Sequence, residues 1–310
     1  MPDGTQAEPE KNPYERVETD PPPPWFAEIY PGGEGSGWYQ KRGAFSMVHH
    51  ARSRDVLVVA FDNIGPANDR SYGREPWGWK FVRDKGHSYL GIMSRSKIWF
   101  RDPAFIAWME ELAHAGFFRG YGRVVFCGTS QGAFASLAFA PLAPGCISVA
   151  FNPQSTLDPQ VVPWETRWPG GRKSDWSLPY SDAAEGVAAA KRAYVVYDPF
   201  FDGDRRHAER IVGGNVDHLK LPFAGHFTPV FLRKVGLLKP VMEGALAGTL
   251  RPEDWHRMSR RRRTLPWYMK GLTARAEEKG HHALAKGIRP AFMAIRRAEK
   301  ARADREAAAS

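Results

Sequence analysis

Three residue types along this chain have the chemistry for nucleophilic attack. A serine stands inside Gly128-Thr129-Ser130-Gln131-Gly132, two aspartates follow at Asp202 and Asp204, and a histidine comes after them at His226. A serine hydroxyl is a weak nucleophile at neutral pH and needs a base within hydrogen-bond reach. Histidine suits that task because its pKa lies near the operating pH, so it can take a proton and return it. A carboxylate behind the histidine fixes its tautomer and stabilises the imidazolium.

Such a set works only if the chain positions it. The apolar run at 124–127 stops at Gly-x-Ser-x-Gly, and an Ala-rich, helix-compatible segment follows at once. That reads as a strand, a sharp turn and a helix with the serine at the apex. Only small residues fit two positions to either side of such a serine, and Gly128 and Gly132 meet the demand. The helix start also aims free N–H groups and a positive dipole end at whatever the serine attacks. The plain alternative is a Gly-rich turn with an idle serine. Residues 192–197 read as a strand, 198–204 as a turn and 205–212 as a helix. A short strand at 216–221 leads to Phe223-Ala224-Gly225-His226-Phe227, then to a helix at 229–235. The order is Ser, Asp, His, each just past a strand. This elbow and this order resemble the α/β-hydrolase superfamily, over roughly residues 43–240.

The resemblance implies a triad of Ser130, His226 and an aspartate. Asp202 lies just beyond the strand-ending Asp198 and before a helix, the superfamily's usual pattern, and is the expected acid. Asp204 is the alternative acid, with a helix N-cap as its structural role. Asp198 precedes a proline and would shape the turn; Asp158 is an outside candidate. The resemblance also implies an oxyanion hole. One donor would be the Gln131 N–H. The other would come from the 62–65 loop, after a strand at 55–61. Many esterases carry His-Gly there, whereas this chain has Asp62-Asn63-Ile64-Gly65. Asn63 is either the second donor or an ordinary turn residue. None of the ten histidines has a ligand partner at metal spacing, so neither a metal nor a cofactor is expected. Asp202-Gly203-Asp204 also fits the Asp-x-Asp of metal-dependent glycosyltransferases, but that motif is short and leaves the elbow unexplained.

Further strands are expected at 44–50, paired with 55–61, and at 88–93 and 147–151. A helix opens at Asp102-Pro103 with Phe105, Ile106, Met109 and Leu112 on one face. The alternation predicts an α/β-hydrolase fold, a mostly parallel central sheet with helices on both faces. Within a hydrolase domain at 25–250, an insert at about 152–191 carries Trp164, Trp168 and Trp176. The resemblance makes it a lid over the substrate pocket; the alternative is a tryptophan-rich loop packed for stability. Residues 1–24 are polar and proline-rich, have no apolar signal core, and are expected to be disordered. No apolar run is long enough to span a membrane, so a cytoplasmic protein is expected. Cys127 and Cys146 read as reduced core residues.

The net charge is +10, and residues 251–310 hold 16 Lys and Arg against 7 Asp and Glu. The rest of the chain is nearly balanced, at 28 against 27. This appendage reads as a helical hairpin packed on the domain with a solvated basic face. The alternative is a docking surface for an anionic partner such as acidic lipid, nucleic acid or a polyanionic glycan. The expected activity is esterase-like hydrolysis through an acyl-enzyme. Its alternatives are an O-acyltransferase or deacylase acting on a glycan or lipid, and a hydrolase-fold binding protein that performs no chemistry.

Overall fold

A computed structural model describes residues 22–29, 35–65 and 73–308. The N-terminal stretch expected to be disordered lies, up to Pro21, outside the described residues. The strands are β1 Ser36–Arg42, β2 Phe45–Ala51, β3 Val56–Phe61, β4 Ser88–Ser94, β5 Arg123–Thr129, β6 Ile147–Phe151, β7 Arg192–Tyr197 and β8 Val216–Lys220. They form one sheet in the order β1-β2-β4-β3-β5-β6-β7-β8. From β4 to β8 every pairing is parallel; β2 runs antiparallel to both β1 and β4.

Burial on both faces explains why β3 reads as an unbroken apolar run. Val56, Val58 and Ala60 join the core on one face, and Leu57, Val59 and Phe61 join the core on the other. Helix α1, Pro103–His114, covers the second face with Phe105, Ile106, Trp108 and Met109, and Asp102 caps it by accepting from the Phe105 N–H. Helix α2, Gln131–Ala138, follows the elbow and is buried throughout. Helix α3, Asp202–Arg210, carries Asp202 and Asp204 in its first turn, and helix α4, Thr228–Lys234, follows His226. Helix α5, Leu238–Ala247, covers the first face with Val241, Met242 and Ala245.

The expected pairing of 44–50 with 55–61 is wrong. β2 pairs with β1 and β4, while β3 takes β4 and β5. The link at 52–55 passes the start of β4 and is fastened there by Ser88, whose Oγ accepts from the N–H groups of Arg52 and Ser53 and donates to the Ser53 carbonyl. The physical reason is burial: β3, apolar on both faces, takes a central place between parallel neighbours, and β4 enters between β2 and β3. β1 has no counterpart in the sequence reading, because its pattern is largely exposed and polar.

Residues beyond 250 form helices α6 Pro252–Met258, α7 Pro266–Glu278 and α8 His282–Ala308. Among the described residues no helix is long and apolar enough to cross a membrane. Trp255 is buried in the core of the first face, and its indole N–H donates to the Lys220 carbonyl. Trp267 packs on Phe231, and Tyr268 on Phe223. A Cβ at Gly271 would lie 2.8 Å from the Phe223 ring, so α7 needs a glycine there to lie against the histidine loop. Arg260, Arg261 and Arg263 are exposed. Trp255→Ala should therefore cost about 3–5 kcal/mol. For a chain of this size that lowers Tm by on the order of 10 °C, to be read in a thermal melt.

Candidate active site

Ser130 has φ 54° and ψ −119°, a backbone conformation that costs a non-glycine residue of order 1–3 kcal/mol. It follows β5 directly and precedes α2. The two glycines fit for a steric reason. A Cβ on Gly128 would lie 2.3 Å from the Gly132 carbonyl carbon, and one on Gly132 would lie 2.3 Å from the Phe61 carbonyl oxygen. Any side chain at either position would push α2 away from β3 and β5.

The structure brings Ser130 and His226 together. Ser130 Oγ lies 3.0 Å from His226 Nε2, and His226 Nδ1 lies 2.7 Å from Asp204 Oδ2. A carboxylate can only accept, so Nδ1 carries the proton and Nε2 offers its lone pair to the serine hydroxyl.

The carboxylate is not that of Asp202. Asp202 is exposed and pairs with Arg205 on its own helix. The helix begins at Asp202, three residues earlier than the sequence suggests. Both aspartates are therefore helical, and residues two apart on a helix point in different directions. Only one can face His226, and it is Asp204. Asp204 does not act as an N-cap either; that position is Phe201. Asp198 does shape its turn, accepting from the Phe200 N–H, and its other oxygen accepts from the Gly225 N–H, tying the acid turn to the histidine loop. Asp158 holds only its own turn, through the Gln160 N–H.

Asp204 has no solvent exposure, and its partners come from separate parts of the chain. Oδ2 accepts from His226 and from Asn152 Nδ2, and Oδ1 accepts from Arg167 Nη1 at 2.8 Å. Burial pushes this carboxyl up, but the hydrogen bonds and charges of His226 and Arg167 outweigh it and hold it below its ordinary value. Arg167 also clasps Glu165, which is itself buried. His207 completes the brace. The Ser155 N–H donates to its Nδ1, so the proton sits on Nε2 and is donated to Glu165 Oε2 at 3.0 Å. Burial pushes His207 down, and it stays neutral. Ser155, His207 and Glu165 look like a second triad, but each is at most 1% exposed, so no substrate can reach them. Their place is behind Arg167.

Gln154 and the Asn152, Glu165, Arg167, His207 group were not singled out from sequence as site residues. Gln154 Oε1 lies 3.3 Å from Ser130 Oγ and also accepts from Trp99 Nε1, a donor-only group that fixes which end of the amide faces the serine. The one local signal was their density in and just after the insert, beside three tryptophans. Of those, Trp168 lies against the His226 ring at 5.5 Å and lines the cavity at Ser130. Trp164 instead packs on His207 and Arg206, and Trp176 on Phe134. Neither lines that cavity.

Gln131 opens α2, where the first N–H groups have no partner within the helix. Asn63 lines the same cavity, and its Oδ1 accepts from the Gly65 N–H in a local turn. Its loop is anchored by Asp62, fully buried, which pairs with Arg74 and accepts from the Ser94 N–H.

The fold is that of an α/β-hydrolase. No family model and no curated protein matches the chain. Among solved structures it is similar to the capsule O-acetyltransferase of Neisseria meningitidis serogroup A, at 8% identity and a TM-score of 0.45, over 66% of this chain and 93% of that one. It is also similar to an esterase of Pyrococcus furiosus, at 13% identity and 0.43, over 69% and 90%. A thermostable carboxylesterase from a metagenomic library gives 12% identity and 0.44, over 70% and 90%. None of the three reaches a TM-score of 0.5; this chain's own strand order and elbow define its fold.

Two outcomes follow from the geometry. Asp204→Asn should cut any Ser130-dependent turnover by about 10³–10⁴-fold, while Asp202→Asn changes it by less than about twofold; steady-state kinetics on one ester separates them. Glu165 ionises at about 2 against an ordinary 4.5, because hydrogen bonds from His207 and Arg167 overcome the upward push of burial. As pH falls, the unfolded chain takes up this proton first. The stabilisation is complete above pH 4.5 and is lost progressively toward pH 2. In Glu165→Gln, denaturant unfolding should show a smaller loss of stability across that window than the parent chain.

Proposed function

We propose that this chain is a serine esterase working through an acyl-enzyme. The observation that carries the reading is the line from Ser130 Oγ to His226 Nε2 at 3.0 Å and from His226 Nδ1 to Asp204 at 2.7 Å, with the serine lining an open cavity. Ser130 Oγ attacks the ester carbonyl carbon, and its proton passes to His226 Nε2. The carbonyl oxygen becomes an oxyanion and accepts from the Gln131 N–H and from a donor of Asn63. Asp204 stabilises the imidazolium without taking its proton. Arg167 supports that role, since a cation on the far oxygen favours the ionised carboxylate.

His226 then gives its proton to the leaving alkoxide, the carbon–oxygen bond breaks, and the acyl group stays on Ser130. Water enters and loses a proton to Nε2. Its oxygen attacks the acyl carbon, and Ser130 leaves with the proton restored. Trp168 and Phe227, at the cavity beside His226, would hold the leaving group near Nε2.

The test is a fluorophosphonate probe and a chromogenic ester. Parent protein should be labelled, and Ser130→Ala should lose both labelling and turnover, by about 10⁶-fold. Labelling that persists in Ser130→Ala would falsify the assignment of the nucleophile. A parent chain that takes no label and turns over no ester would instead mark the fold as a binding scaffold.

A further inference from the structure

The cavity at Ser130 encloses about 720 Å³. Its floor is one face of the sheet. Val58 and Ala60 of β3 and Cys127 of β5 are alternate residues on that face, and Ala60 pairs in register with Cys127. Phe81 and Met242 stand on its walls. Val58 pairs with Val125, five residues back along β5 from Ser130. At about 3.3 Å per residue, the cavity therefore reaches roughly 16 Å from the elbow toward the N-terminal ends of β3 and β5. The polar groups Asn63, Thr129, Ser130 and His226 belong to loops and strand ends at the elbow. The other charged side chains that line it, Arg233 and Lys239, are both exposed.

A pocket long and apolar beyond its reacting end does not suit a small or polar group. An acetyl group would leave most of it empty, and a sugar would lose its hydrogen bonds to water against Val58, Ala60 and Phe81. An extended hydrocarbon fits. Each carbon–carbon bond of a zigzag chain advances about 1.3 Å, so roughly 16 Å takes a chain of about ten to twelve carbons.

We propose that the substrate is an ester bearing one extended apolar chain of medium length, which lies along the β3–β5 face between Phe81 and Met242. The proposal rests on Ser130 being the nucleophile, and it names the part of the substrate that the triad does not touch.

The experiment measures kcat/KM over two probe series: p-nitrophenyl esters with acyl chains of two to sixteen carbons, and acetates of straight-chain alcohols over the same range. One series should rise by about two- to fourfold per added methylene, the scale expected for burying each in an apolar site, and should level off near ten to twelve carbons. Which series rises tells whether the acyl or the alcohol part fills the cavity. Ala60→Leu, which fills the floor, should lower the ten-carbon to two-carbon ratio by tenfold or more. Val230→Trp, at an exposed position on the cavity wall, should lower it in the same direction. Two flat or falling series from a chain whose Ser130 takes the fluorophosphonate label would overturn the proposal and leave the esterase reading intact.

Binding of decanol gives a readout without chemistry. It should raise the Tm of Ser130→Ala and leave that of Ser130→Ala/Ala60→Leu unchanged. If no ester is hydrolysed and no label enters, this shift still supports the cavity's preference while the esterase reading fails. Its absence overturns the cavity's preference as well.

Discussion

The arrangement depends on one buried charge. The Asp204 carboxylate has no contact with solvent, and a buried ion stripped of its partner costs about 3–5 kcal/mol. It must therefore be surrounded by donors, and the chain supplies them from distant places. His226 comes from the loop after β8, Asn152 from the end of β6, and Arg167 from the insert between β6 and β7. Asn152 takes a left-handed backbone, φ 52°, to reach it, and its carbonyl oxygen Oδ1 accepts from the Thr228 N–H just past the histidine. Satisfying one carboxylate thus fixes the relative positions of the acid helix, the histidine loop and the insert.

Arg167 extends the same logic outward. Its guanidinium lies between two buried carboxylates, Asp204 on one side and Glu165 on the other, and donates to both. Glu165 in turn is held by a neutral His207 whose second nitrogen is occupied by the Ser155 N–H. Each buried polar group settles the one before it, until the network reaches backbone. The insert is therefore joined to the site by charge as well as by packing. Arg101 adds a second anchor, donating to the carbonyls of Asp175, Leu178, Pro179 and Tyr180. Trp168, next to Arg167 in the chain, lies between Trp99 and His226.

The histidine loop is supported from the other side as well. Phe223 and Phe231, before and after His226, meet Tyr268 and Trp267 of α7. Asp198 holds Gly225 from below. The basic appendage thus backs the loop that carries His226. Its apolar residues are what the rest of the chain uses, and its exposed arginines play no part in this contact.

The sequence by itself determined the elbow, because its constraint is local. Gly128 and Gly132 are needed within a few residues of Ser130, and strand, turn and helix signals are contiguous there. The order Ser, Asp, His and the alternation of strands and helices are also linear properties, so the fold class was legible. Which aspartate meets His226 was not. That depends on where α3 begins, and a shift of three residues rotates Asp202 outward and Asp204 inward. The place of β2 was hidden for a similar reason: partner choice is settled by which strand is buried on both faces, and a local hairpin reading cannot weigh that. Glu165, Arg167 and His207 lie in a loop and a helix with no periodic signal joining them. Only tertiary structure brings them together, because the demand they meet, neutralising a buried charge, arises only once the chain has folded around Asp204.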